Sequence, residues 1–211
     1  MEKLDLTKTE KAYYTAKPKP EIVTIKQAQF LSLTGKGDPS SPAFSSAIEA
    51  LYSTAYTIKF LCKNREEADF VVAKLEGLWW FDEMQFGHIP MEEAPQKIPR
   101  SEWFWRLLIR MPDFITSDLV KEGIELVFAK KGVDLVKNIE LFTHTEGVCL
   151  QMLHVGPFDK EPETLKIMQD FCQKNKLEKN GLHHEIYLSD FRKTPSDKLK
   201  TILREPVRMS I

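Results

Sequence analysis

Along the chain the spacing of apolar positions changes several times, and each change marks an element. Residues 1–20 are polar, carry no clear period and end in KPKP, the pattern of an arm lying on the surface with no chemistry of its own. From Gln29 to Gly37, QFLSLTGKG alternates as a strand does and stops at a glycine turn. Asp38-Pro39-Ser40 then opens a long helix, in which Phe44, Ile48, Leu51, Ala55, Ile58 and Cys62 recur at spacings of four and three. One continuous apolar stripe of that kind has to pack on a sheet. GLWWF (77–81) and EWFWRLLIRM (102–111) predict two more strands, separated by a loop holding Pro90, Pro95 and Pro99. A helix over Ser117–Lys130 follows, with Leu119, Ile124, Val127 and Phe128 as its apolar side. The runs NIELFTHTE and GVCLQMLHVG, broken at Glu146-Gly147, predict a hairpin.

The pattern then recurs. CLQMLHVGPFDKEPETLKIMQDFC passes from strand through Gly, Pro and acid to helix, as FLSLTGKGDPSSPAFSSAIEALY does earlier. Leu78-Trp79-Trp80-Phe81-Asp82 lies over Ile186-Tyr187-Leu188-Ser189-Asp190, and WRLLIRMP over LKTILREP. A β-α-β-β unit used twice, about 28–112 and 147–207, joined by a helix and a strand, accounts for this within one domain over 21–211. The predicted fold class is α+β, with pseudo-twofold symmetry, an antiparallel sheet, helices on one face and a ligand cleft on the other.

Strand alternation gives the stretch HHEIYLSD (183–190) its meaning. Ile186 and Leu188 share one side, which suits contact with helices, while His183, Glu185 and Tyr187 share the other. The internal repeat sets Trp79 and Phe81 on the matching side of the first half, with Gly77 opposite Glu185. If the two uncovered faces meet, they make an aromatic-walled cleft with one carboxylate, the character of a small-molecule site. The competing reading is a solvated face with a hydrated acid, but Trp79 and Phe81 would then form an exposed apolar patch. Tyr52 and Tyr56, at i and i+4 on the first long helix, and Trp105 on its strand are further candidates for contact with a ligand or for the core. His183 and His184 point to opposite faces and so do not suit one metal. His183 is kept as a substrate-side candidate because it shares Glu185's face.

Composition narrows the partner. Thirty Lys and Arg stand against 31 Asp and Glu, a net charge of −1, so no field exists to hold nucleic acid, and direct nucleic-acid binding is not expected. No apolar run approaches the roughly 18 residues of a membrane span and the first residues have no signal-peptide core, which predicts a cytoplasmic protein. Cys62, Cys149 and Cys172 are odd in number and lie in apolar segments, as reduced buried thiols do. No Walker loop, G-x-G-x-x-G or G-x-S-x-G occurs, and His183-x-Glu185 lacks the P-C-x-x-C of zinc deaminases. Neither cofactor nor metal is expected; the partner is a small aromatic molecule.

The strings GKGDPSSPAFSSAIEALYSTAYTIKF, LEGLWWFD, WRLLIRMPDF, EGVCLQMLHVGPFDKEP and GLHHEIYLSDFRKTPSDKLKTILREPV, in this order, resemble the GyrI-like small-molecule-binding family. The resemblance implies a duplicated β-α-β-β fold with a central cleft. It also implies that Glu185 matches the buried late-strand Glu that meets cationic aromatic ligands in drug-binding members. Stand-alone members, which this chain resembles, include hydrolases that open the strained cyclopropane of DNA-alkylating natural products. On that reading Glu185 activates water, Tyr187 orients it, and Tyr52, Tyr56, Trp79, Phe81 and Trp105 hold the planar substrate by stacking. The alternative is a non-catalytic module that sequesters drugs, with Glu185 as counter-ion to a cationic ring system.

Overall fold

The computed structural model describes residues 3–210. In chain order its elements are β1 (Lys3–Leu4), α1 (Leu6–Thr9), β2 (Glu21–Ile25), β3 (Ala28–Lys36), α2 (Pro42–Asn64), β4 (Asp69–Phe70) and β5 (Leu75–Trp80). Next come α3 (Glu83–Phe86), α4 (Ala94–Lys97), β6 (Phe104–Met111), α5 (Ser117–Lys131) and β7 (Glu140–His144). The last are β8 (Gly147–Val155), α6 (Glu161–Lys174), β9 (Leu177–Lys179), β10 (His183–Tyr187) and β11 (Lys200–Met209).

Helix α2 forms where its stripe predicts. The Ser41 hydroxyl accepts from the Phe44 amide at 3.2 Å, Pro42 sits at the first turn where no amide is needed, and all six stripe residues are buried. Helix α5 starts behind the Thr116 cap and stops at Gly132, which adopts φ +64°. The three cysteines are free and buried.

The main sheet runs β2-β8-β11-β10-β5-β6-β3-β7, antiparallel throughout, with β9 attached to β11. The pseudo-twofold axis passes between β5 and β10, which pair with Gly77 opposite Glu185, as the repeat implies. One expectation fails at the sheet's ends. The runs on either side of Glu146-Gly147 do not pair as a hairpin: β7 pairs with β3 in the other half, and β8 with β2 and β11. Laid flat, β2 and β3 would stand about six strand spacings, roughly 29 Å, apart. Only Lys26 and Gln27 join them, a reach of about 10 Å. The sheet therefore curls until its ends approach, and each two-residue link carries the chain across to the opposite half.

The curl decides which face is which. Phe44 of α2 packs on Trp79 (5.7 Å between rings) and edge-on to Trp105 (5.2 Å). Thr164 of α6 is hydrogen-bonded to His154 of β8. Cross-strand register puts Trp79, Trp105 and His154 on the same side as Glu185 and Tyr187. The α+β fold with its large antiparallel sheet and helices is as predicted, but Glu185 and Tyr187 face the helices, and Ile186 faces away from them. Alternation groups residues by side without saying which side the helices take; Ile186 is fully buried all the same, because the opposite, concave face is covered too.

What covers the concave face is partly the N-terminal arm, which corrects the expectation of a surface segment without chemistry. Leu6, Tyr13 and Tyr14 are buried, and the two tyrosine hydroxyls donate to Glu76 at 2.5 and 3.3 Å. Glu76 also meets His184 at 3.0 Å, whose other ring nitrogen meets Glu146 at 2.9 Å. Arg204 donates to Glu146, to Gln151 and to the carbonyl of Tyr13, and its guanidinium lies 4.5 Å from the Tyr13 ring centre. Burial opposes the charge on each of these groups, yet His184 and Arg204 hold the Glu146 carboxyl down at about 2, and Glu146 and Glu76 raise His184 to about 9.

Candidate active site between the helices

The central strands carry the site, in the seam between α2 and α6. Glu185 is held at both carboxylate oxygens: Tyr187 donates its hydroxyl to Oε2 at 2.6 Å, and Nε2 of His183 lies 3.3 Å from Oε1. Trp79 completes the row by donating its indole N–H to the Tyr187 oxygen at 3.2 Å. Gly77 makes this meeting possible, since a Cβ there would stand 2.9 Å from the Trp79 indole nitrogen and 3.3 Å from the Tyr187 hydroxyl. Burial and the Glu185 charge push the Tyr187 phenol well above its ordinary value, so it stays a neutral donor.

Beside this row runs a groove of about 1550 Å³. Tyr52, Tyr56 and Phe60, spaced by four along α2, form one wall, with Tyr187 and Phe191 across from them and Leu75 also in the lining. Tyr52 and Tyr56 stack at 6.3 Å and 29°. Tyr56 and Phe60 are 47% and 50% exposed, which makes them available to a planar molecule. Burial pushes the Tyr52 phenol up to about 12. The structure thus places Tyr52, Tyr56 and Tyr187 on the groove and Glu185 directly behind Tyr187. His183 and Trp79 are buried partners of that pair, while Phe81 and Trp105 lie deeper, in an aromatic cluster with Phe44 and Trp103. The Trp105 ring lies against Gly35, where a Cβ would be 2.2 Å from it.

Two acids join the site that the sequence did not single out. His183 is bracketed, its Nδ1 lying 2.6 Å from Oε1 of Glu205. Glu161, the first residue of α6, is 7% exposed, and its Oε1 has no protein partner among the described residues. Burial, then the nearby Glu185 charge, push the Glu161 carboxyl well up. Glu205 was within reach of alternation, because β11 pairs Leu203 with Glu185 and Glu205 shares that face. Glu161 had no such signal, since an acid at a helix start is ordinary. Among the described residues no group of His, Cys, Asp and Glu is arranged to hold a metal ion, and no helix is long and apolar enough to cross a membrane.

Burial alone would lower the His183 pKa, but Glu205 and Glu185 overcome it and raise the ring to about 10. A histidine raised above its unfolded value, near 6.5, stabilises the fold fully below pH 6.5 and loses that contribution as the pH climbs through the folded value. His183 and His184 both act this way, with upper limits at about 10 and about 9. Thermal unfolding should therefore show a midpoint falling by several degrees between pH 6.5 and 8, below the range where buried thiols and phenols respond. A flat midpoint across that interval would contradict the bracketed imidazolium.

A curled antiparallel sheet, two helices flanking the seam and an aromatic groove beside a held carboxylate define a small-molecule-binding α+β domain. The chain belongs to the GyrI-like family: the GyrI-like small molecule binding domain matches residues 121–208, and full-length relatives share more than a third of the sequence. An uncharacterized conserved protein from Listeria innocua is 38% identical, with 98% of this chain and 100% of that one aligned at a TM-score of 0.86. A hydrolase from Listeria innocua is 37% identical over 98% of this chain and 100% of its own, at a TM-score of 0.82. The EcmrR C-terminal domain shares the fold at 11% identity, covering 90% of this chain and 98% of that domain with a TM-score of 0.58. No curated protein matches the sequence.

Proposed function

We propose that this protein is a hydrolase that takes planar aromatic molecules into the groove along α2 and opens a strained cyclopropane in them, as a defence against DNA-alkylating compounds. The observation that carries the reading is the carboxylate of Glu185, held by His183 and by Tyr187, whose ring lines an aromatic groove. The Listeria hydrolase, 37% identical over nearly the whole chain, supports a hydrolytic reaction. Glu185 removes a proton from water as the water oxygen bonds to the cyclopropane methylene. The C–C bond that breaks passes its electron pair to the conjugated carbonyl, which becomes a phenolate and is protonated on release. Burial and the Glu185 charge push the Glu161 carboxyl well up, which favours its protonated form in this site.

Drug sequestration is the second reading, favoured by the fact that both Glu185 oxygens already have partners. The purified protein mixed with a cyclopropane-bearing alkylator should yield, by mass spectrometry, a product one water heavier. Quenching of intrinsic fluorescence with no change in mass would instead support sequestration.

A further inference from the structure

Glu205 does not touch the aromatic groove. It lines a second cavity, of about 200 Å³, walled by α6, β9 and residues 88–92, with Leu150, Leu165, Met168, Cys172 and Glu92 in its lining. Its Oε1 meets His183 Nδ1 at 2.6 Å, and its Oε2 is buried without a protein partner among the described residues. A continuous row of hydrogen bonds therefore runs from Trp79 through Tyr187, Glu185 and His183 to Glu205, starting beside the large groove and ending in the small cavity. Nothing in a simple binding pocket calls for a second carboxylate on the far ring nitrogen, opening onto a different space.

We propose that Glu205 is a positioning residue of this site, the second carboxylate that holds the His183 ring against Glu185. This rests on the hydrolytic reading above. The proton that Glu185 takes from water leaves on the phenolate oxygen of the product, so His183 keeps both ring protons, one donated to Glu185 and one to Glu205. The charged or titratable groups facing His183 are Glu185 and Tyr187 on its own strand, Glu205 on β11 and Glu161 on α6.

The test compares wild-type protein with Glu205→Gln and Glu205→Asp, using hydrolysis of a cyclopropane-bearing alkylator and the nitrogen-15 shifts of the His183 ring followed against pH. Glu205→Gln should lower kcat by about 10- to 100-fold with KM within about twofold, and should move the His183 titration to lower pH. Glu205→Asp should restore part of both, and it carries the comparison if the Gln variant does not fold. A Glu205→Gln protein with wild-type kcat, or with an unchanged His183 titration, would overturn the proposal. If wild-type protein adds no water to the probe, the hydrolytic reading fails on its own; the His183 shifts then still decide whether Glu205 positions the ring.

Discussion

Replacing Glu185 with Gln should lower hydrolysis of a cyclopropane-bearing alkylator by about 10²- to 10⁴-fold, the range a general base contributes, with ligand binding still measurable. The substitution is nearly isosteric. The amide oxygen still accepts the Tyr187 hydroxyl, so the groove keeps its shape; the capacity to take a proton from water is lost, and with it the acceptor for the His183 ring. Single-turnover kinetics beside a fluorescence titration separates the two effects. Near-normal turnover would remove Glu185 from the chemistry. Full loss of affinity for cationic ligands, with neutral rings bound as before and no turnover in either protein, would make it a counter-ion.

The largest expected effect on stability lies on the other face. Arg204→Ala should cost about 3–5 kcal/mol, because it removes one partner from a fully buried ionic network and leaves the others uncompensated. Glu146 would keep only His184, while the Gln151 side-chain oxygen and the carbonyl of Tyr13 would both lose their donor. Urea unfolding should show a lower midpoint with an unchanged slope. A cost below about 1 kcal/mol would mean that this network does not fasten the N-terminal arm to the sheet.

Much of the fold was legible because periodicity is local. The stripe of α2, the turn at Gly37 and the doubled β-α-β-β order can all be read from spacing, and Gly77 does stand opposite Glu185, whereas Gly35 lies within β3, paired with Trp105. The exchange of β2 and β7 between halves is not local. Two-residue links such as Thr145-Glu146 look like hairpin turns, and only the pairing of distant strands reveals that they cross over. The arm misled for a related reason: Tyr13 and Tyr14 have no period of their own, and their burial depends on Glu76 and Arg204, far along the chain. At the site, alternation grouped His183, Glu185 and Tyr187 correctly. It could not supply Glu161, which arrives from a helix start, or Phe60, which continues the Tyr52 and Tyr56 ridge one turn further.

The crossed strands also set a timetable for synthesis. Strand β2 leaves the ribosome early, but its partner residues run from Gly147 to Gln151, so Ile22 waits for Leu150. At about 5–20 residues per second that wait is on the order of ten seconds, during which an edge of unpaired amides and carbonyls is open to other chains. Slow, late closure of the sheet is the kinetic counterpart of its interlocking.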